Sequence, residues 1–147
     1  MPINHSYPPE GLRPPVSCTL SELRDAMESG AILEGSVQRC DTAHALHIPL
    51  GGGDGIMPRE EAVAPWISGA DRDISLLSRV GKQTCFMVTD IRADEKGSPV
   101  LQLSRRAAQE QAMTFFLEQL LPGTVLTCRV RRLESVGAFL DIGCGIV

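Results

Sequence analysis

Between Leu50 and Ile56 the chain places Gly51-Gly52-Gly53-Asp54-Gly55. Glycine takes positive φ without steric penalty, so this run is a reversal. Before it, Leu46, Ile48 and Leu50 alternate with Ala45, His47 and Pro49, the period-2 pattern of a strand with one buried face. Val37 opens an earlier segment, and Ile56 and Met57 start a later one. Residues 35–57 therefore read as strand, short turn, strand, glycine turn, strand, and the flanking chain must be organised around them.

Upstream, residues 1–17 hold Pro2, Pro8, Pro9, Pro14 and Pro15. Proline at that density blocks helix and sheet alike, which predicts an extended or mobile arm. Thr19 and Glu22 match a capping box, and Leu20, Leu23, Ala26 and Met27 share a face, so a short docking helix is expected within residues 18–30, with Gly30 as its stop. Downstream, Pro58-Arg59-Glu60-Glu61 suits a helical first turn. Residues 66–78, with Gly69, Asp71 and Asp73, read as a long loop in which Trp66 is a local packing anchor.

A fourth strand runs through Cys85, Phe86, Met87, Val88 and Ile91, and residues 94–99 form a turn. Val100, Leu101 and Leu103 make a fifth strand. Five short strands with a helical insert after the third predict a mainly β fold, a small closed barrel over residues 31–104. Ala108, Ala112, Phe116 and Leu120 recur every four residues, with Met113 and Leu117 widening the stripe, so residues 105–122 read as a linker helix stopped by Pro122-Gly123.

The plan then repeats. Gly35-Ser36-Val37 matches Cys128-Arg129-Val130, Leu46-His47-Ile48 matches Leu140-Asp141-Ile142, and Gly55-Ile56-Met57 matches Gly145-Ile146-Val147. Repetition of this kind predicts a second barrel beginning at residue 123, of which residues 123–147 supply only the start. The expectation is a fragment with unpaired strand edges.

Composition narrows the function. Of the 147 residues, 43% are apolar and 22% charged, as in a globular domain. No apolar run approaches membrane-spanning length and the N-terminus has no secretory h-region, so a cytoplasmic protein without membrane contact is expected. Cys18, Cys40, Cys85, Cys128 and Cys144 are odd in number and contain no C-x-x-C, which supports neither a closed disulfide framework nor a zinc site. The net charge of −4 argues against charge-driven nucleic-acid binding over the whole surface, but Arg129, Arg131 and Arg132 make a local basic cluster, either a binding stripe or a solvated strand edge. The glycine run lacks the lysine and hydroxyl of a phosphate loop. Asp41, His44 and His47 are too few for a convincing metal set. No triad, nucleophile elbow or paired-carboxylate site is present, so no enzyme, cofactor, metal or small-molecule substrate is expected.

In these residues the chain resembles the S1 RNA-binding domain, an OB-fold barrel. Val136-Gly137-Ala138-Phe139-Leu140-Asp141-Ile142-Gly143 is similar to that family's glycine-aromatic second strand. Glu34-Gly35-Ser36-Val37, the stretch from Gly55-Ile56-Met57-Pro58 to Glu61, and Val100-Leu101-Gln102-Leu103-Ser104-Arg105-Arg106 resemble its first strand, third strand and closing strand. The resemblance covers about residues 31–147, and the connecting helix is similar to that between tandem repeats of bacterial ribosomal protein S1 and its homologues.

The resemblance implies single-stranded RNA, messenger or ribosomal, bound on one barrel face through stacked aromatics and basic side chains. In the first repeat the aromatic positions fall on Ala45 and near Thr42, and the third-strand histidine falls on Pro58. What remains is His44, His47, Arg39, Arg59, Lys82, Arg92, Lys96 and Arg105, of which His47 is predicted to point outward. In the second repeat Phe139 takes the aromatic position, outward if Leu140 and Ile142 point inward, beside Arg129, Arg131 and Arg132. The expected function is non-catalytic RNA binding in a translation-associated, S1-like protein. The alternative is a docking module for small-subunit ribosomal proteins with little RNA affinity of its own. A catalytic domain beyond Val147 stays open.

Overall fold

Thr19 starts the first helix as its spacing with Glu22 predicts. In the computed structural model, which describes residues 2–67, 69–70 and 72–147, the Glu22 amide donates to the Thr19 hydroxyl (3.2 Å) and the Thr19 amide to the Glu22 carboxylate (3.1 Å). Helix α1 then runs Leu20–Ser29 and closes on Gly30 at φ +68°. Strands β1 (Leu33–Ser36), β2 (Arg39–Cys40), β3 (Leu46–Pro49) and β4 (Asp54–Met57) follow, with the reversal before β4 at the glycine run. Gly52 has a structural reason: a Cβ there would lie 2.5 Å from the Leu20 nitrogen, so the turn can receive the start of α1 only if that atom is missing.

Strands β5 (Gln83–Ala93) and β6 (Pro99–Ser104) complete a six-stranded sheet in the order β1-β5-β6-β4-β3-β2. All pairings are antiparallel except β4 with β6. The first and last members of that order, β1 and β2, are separated in the chain only by Val37 and Gln38. The Val37 amide donates to the Lys82 carbonyl at 3.0 Å and the Gln38 amide to the His47 carbonyl at 2.8 Å, so one bent segment serves both ends of the sheet. The sheet therefore curls, and a bulge between Val88 and Asp90 bends β5 with it. Gly35 permits the curl: a Cβ there would meet the Ile48 side chain at 2.7 Å. The architecture is mainly β, with few helices and a curled sheet consistent with an OB-like barrel. The first expected strand is divided into β1 and β2.

Two cores lie on the two sides of this sheet. Leu46, Ile48, Leu50, Met57, Phe86, Val88, Leu101 and Leu103 fill its concave side, closed by Leu23 of α1. Cys85 has the opposite parity on β5 and joins Ile32 beneath helix α3 (Arg105–Gln119), which contributes Ala108, Ala112 and Phe116. Leu117 is 77% exposed, so the buried stripe of α3 is narrower than its sequence period suggests. Cys144 and Ile146 complete this second core.

Several expectations are corrected. The proline-rich arm packs against the body. Tyr7 stacks at 5.0 Å from Phe115, Asn4 is fully buried, and Asn4 Nδ2 donates to the Thr127 and Ile142 carbonyls, both at 2.7 Å. The arm also forms a 3-10 turn at Ile3–Ser6, directly after Pro2, so its prolines exclude neither a short helical turn nor docking through side chains. The loop at 66–78 contains helix α2 (Asp73–Leu77), whose Leu76 is buried in the first core; five residues carry too weak a period to read from sequence. Trp66 is 45% exposed and anchors no core. The short helix after Pro58 is a single 3-10 turn, Arg59–Glu61. Met1, Ser68 and Asp71, which fall in the expected arm and loop, lie outside the described residues.

The C-terminal repeat forms a hairpin, β7 (Arg129–Glu134) and β8 (Gly137–Asp141), in a two-stranded sheet of its own. Residues 145–147 are not a strand. The expected inward parity of Leu140 and Ile142 fails at Leu140, which is 38% exposed beside a fully buried Asp141, and holds at Ile142, which packs on the second core just beyond β8. The hairpin has no facing sheet to receive Leu140, whereas the Asp141 carboxylate finds backbone donors beneath it. Its Oδ1 accepts from the Gly143 and Gly145 amides (2.9 and 3.1 Å) and its Oδ2 from the Glu10 amide (3.0 Å).

Candidate nucleic-acid interface

The joint between arm, curled sheet and hairpin is polar and buried. Glu10, 1% exposed, forms an ion pair with Arg105 and lies 3.5 Å from Arg79. The Cys85 amide also donates to its carboxylate at 2.9 Å. Burial alone would raise the Glu10 pKa, but Arg105, then Arg79, then these hydrogen bonds outweigh it and hold the group at about 2. Burial opposes charge on Arg105 too, and Glu10 more than restores it. Gln109, fully buried, accepts from the Ala64 amide (2.8 Å) and donates to the Cys144 carbonyl (3.0 Å), tying the C-terminal segment to the loop after β4. Arg105 therefore belongs to the interior of the fold.

Above this joint runs a groove. One end is a cleft of about 490 Å³ bordered by Gly11, Lys82, Gln83, Arg129 and Arg131, with Arg79 at its base. The other end is a cleft of about 650 Å³ bordered by Trp66, Arg72, Met113, Arg131, Arg132 and Phe139. A smaller recess of about 180 Å³ between them is lined by Lys82, Arg79 and Arg131 as well. Arg131 borders all three because of the hairpin's register: Val130 pairs with Leu140 and Arg132 with Phe139, leaving Arg131 as the extra residue of a bulge. Bulges re-aim side chains in this way. The same register sets the Arg132 guanidinium over the Phe139 ring at 4.3 Å, while Arg132 Nε holds Glu134 at 2.9 Å.

Of the residues picked out by sequence, Phe139, Arg129, Arg131 and Arg132 meet in this groove. Phe139 is half-buried beneath Arg132 rather than free. Arg129 Nη1 donates to the Glu10 carbonyl at 2.8 Å, which positions the guanidinium without neutralising it. His47, Arg39 and Arg59 do not border the groove. His47 Nε2 lies 2.7 Å from Asp41, whose carboxyl is lowered first by that contact and then by the Ala45 amide. Arg39 lies 3.4 Å from His47 Nδ1, and Arg59 is ion-paired with Asp73. This second surface is largely self-neutralised.

The sequence does not single out Arg72, offers Lys82 only as one of eight scattered basic side chains and histidines, and makes Trp66 a packing anchor in preference to a base-stacking residue. Each stands alone in its local sequence, and only the docking of the hairpin brings them beside Arg131 and Phe139. The alternation of basic residues in β7 was the one available signal, and it pointed to the hairpin side alone.

The fold and groove thus define a curled-sheet β protein with a basic, aromatic-edged cleft. No family model matches the chain, and no curated protein matches it. Among solved structures it is similar to the solution structure of GSP13 from Bacillus subtilis, at 22% identity and a TM-score of 0.39. That match covers 54% of this chain and 55% of the other, so the two share about half their lengths, and nothing further rests on it.

Proposed function

We propose that the chain binds single-stranded RNA without catalysing a reaction on it, through an OB-type barrel of the S1 kind and the groove beside it. The observation that supports this reading is the groove itself. Lys82, Arg129 and Arg131 converge there and form no ion pair among the described residues, and the exposed face of Trp66 and the Arg132–Phe139 stack lie at one end. Cations track phosphates, and aromatic rings with a stacked guanidinium accept bases at about 1–3 kcal/mol each. The spacing suits an unpaired strand, because a duplex hides its base faces. A translation-associated setting follows from the resemblance to S1 repeats and is proposed on that ground.

The test is an anisotropy titration of a 3′-labelled pyrimidine-rich RNA with the full chain at two salt concentrations. Binding is expected to weaken with salt, with a log–log slope of about −2 for three contacted phosphates. Phe139→Ala is expected to weaken it about tenfold, the smaller part of a stacking contribution. Unchanged affinity in Phe139→Ala, or a flat salt response, would sink this reading. The rival reading, a protein-docking module, has one observation in its favour: the His47 surface is paired with carboxylates and offers little net charge to a phosphate backbone.

A further inference from the structure

The two ends of the groove differ in chemistry. Around the Gly11 end gather Lys82, Arg129 and Arg131, with Arg79 and Arg105 beneath. Glu34 is also buried at this end, bonded to the Gly11 amide and Gln83 and 3.9 Å from Arg13. Counting that pair, six cations stand against three carboxylates among the described residues, Glu10, Glu34 and Asp141, all facing inward and held by hydrogen bonds. The excess is three positive charges at one cleft. Burial, then Arg79 and Arg131, depress the Lys82 ammonium, as expected where like charges are crowded without a counter-ion. An internal phosphodiester brings one negative charge per nucleotide, spaced along the strand. Three uncompensated cations around about 490 Å³ fit a more compact anion.

We propose that this end of the groove binds an oligophosphate group of two or three linked phosphates, carried by the 5′ end of an RNA strand whose first bases lie toward Trp66 and Phe139. The proposal rests on the RNA reading of the groove and adds the end of the strand that it takes. Arg129 is the best-placed ligand: its Nη1 is fixed on the Glu10 carbonyl, and a guanidinium presents several donors in one plane. Arg131, aimed by the bulge, and Lys82, at the turn before β5, complete a three-sided cradle.

The experiment compares two RNAs of one sequence, one with a 5′-triphosphate and one with a 5′-hydroxyl, on the full chain. Inorganic tripolyphosphate serves as competitor and as a direct ligand by calorimetry. The triphosphate RNA is expected to bind at least tenfold more tightly. That preference is expected to fall to about unity in Lys82→Met and Arg131→Met, both exposed positions, and to persist in Lys96→Met, an exposed lysine of the 94–99 turn. Equal binding of the two RNAs overturns the proposal and leaves the RNA reading standing. Tripolyphosphate binding without binding of either RNA keeps the oligophosphate site and overturns the RNA reading. Binding of neither overturns both.

Discussion

Leu46-His47-Ile48 and Leu140-Asp141-Ile142 have the same pattern, yet the first buries its leucine and leaves its centre partly exposed while the second exposes its leucine and buries its centre. In β3, Leu46 and Ile48 are buried beneath the curled sheet and His47 is partly exposed. In β8, Asp141 is buried and Leu140 is exposed, while Ile142, just beyond the strand, packs against the second core. The first region is held by an apolar core of its own. The second shares the core beneath α3 through Ile142, Cys144 and Ile146, and its hairpin is tied by polar contacts to the arm: Asn4 on Thr127 and Ile142, Glu10 on Asp141, and Arg129 on the Glu10 carbonyl. Alternation shows that one face of a strand is buried; which face depends on what packs against it.

The largest expected effect lies in the first region. Leu46→Ala is expected to cost about 2–5 kcal/mol in urea unfolding, the range for a fully buried leucine. Leu140→Ala is expected to stay within about 0.5 kcal/mol, as for a surface change. Similar costs for both would mean that the hairpin has an apolar core after all, and the comparison would fail.

The polar clamp is expected to show in acid. The Glu10 pKa is lowered from 4.5 to about 2, so its contribution is fully present above pH 4.5 and is lost as pH falls from there toward 2. A shift of that size corresponds to about 3 kcal/mol. Glu34 and Asp141 are raised, chiefly by burial, and act with the opposite sign, favouring the folded state as pH falls through their own raised values. Thermal melts at pH 6 and pH 3 are therefore expected to differ strongly in the natural protein and much less in Glu10→Gln. A variant with an unchanged acid limb would remove Glu10 from the role of clamp.

The smallest contrast is between the polar residues at the centre of each repeat. Asp141→Ala leaves the Glu10, Gly143 and Gly145 amides without their acceptor and is expected to cost about 1–3 kcal/mol. His47→Ala loses surface contacts to Asp41 and Arg39 and is expected to cost no more than about 0.5 kcal/mol. Urea unfolding of the two variants side by side checks the ordering, and its reversal would undo the assignment of burial.

The candidate site was legible in part. Arg129, Arg131, Arg132 and Phe139 stand close in sequence, so their grouping needed only a hairpin. The bulge at Arg131 left no mark, because a register shift is a property of two strands, not of one. Trp66 and Lys82 are far from the hairpin in the chain, and their approach depends on the arm and α3 docking together. His47 and Arg59 were visible as basic residues, but the Asp41 and Asp73 carboxylates that face them became visible only in space.

By itself the sequence determined the capping box of α1, the glycine reversal before β4, the strand segments and the long helix. These follow from local chemistry: a hydroxyl three residues from a carboxylate, missing Cβ atoms, and apolar periods of two and of about four. Tertiary structure alone decided that the proline-rich arm is a strap, that Glu10 and Arg105 are buried together, and that β8 faces Asp141 inward. A buried ion pair or an inverted strand depends on partners that are distant in the chain. Local pattern records the availability of such groups, and packing decides which of them is taken out of water.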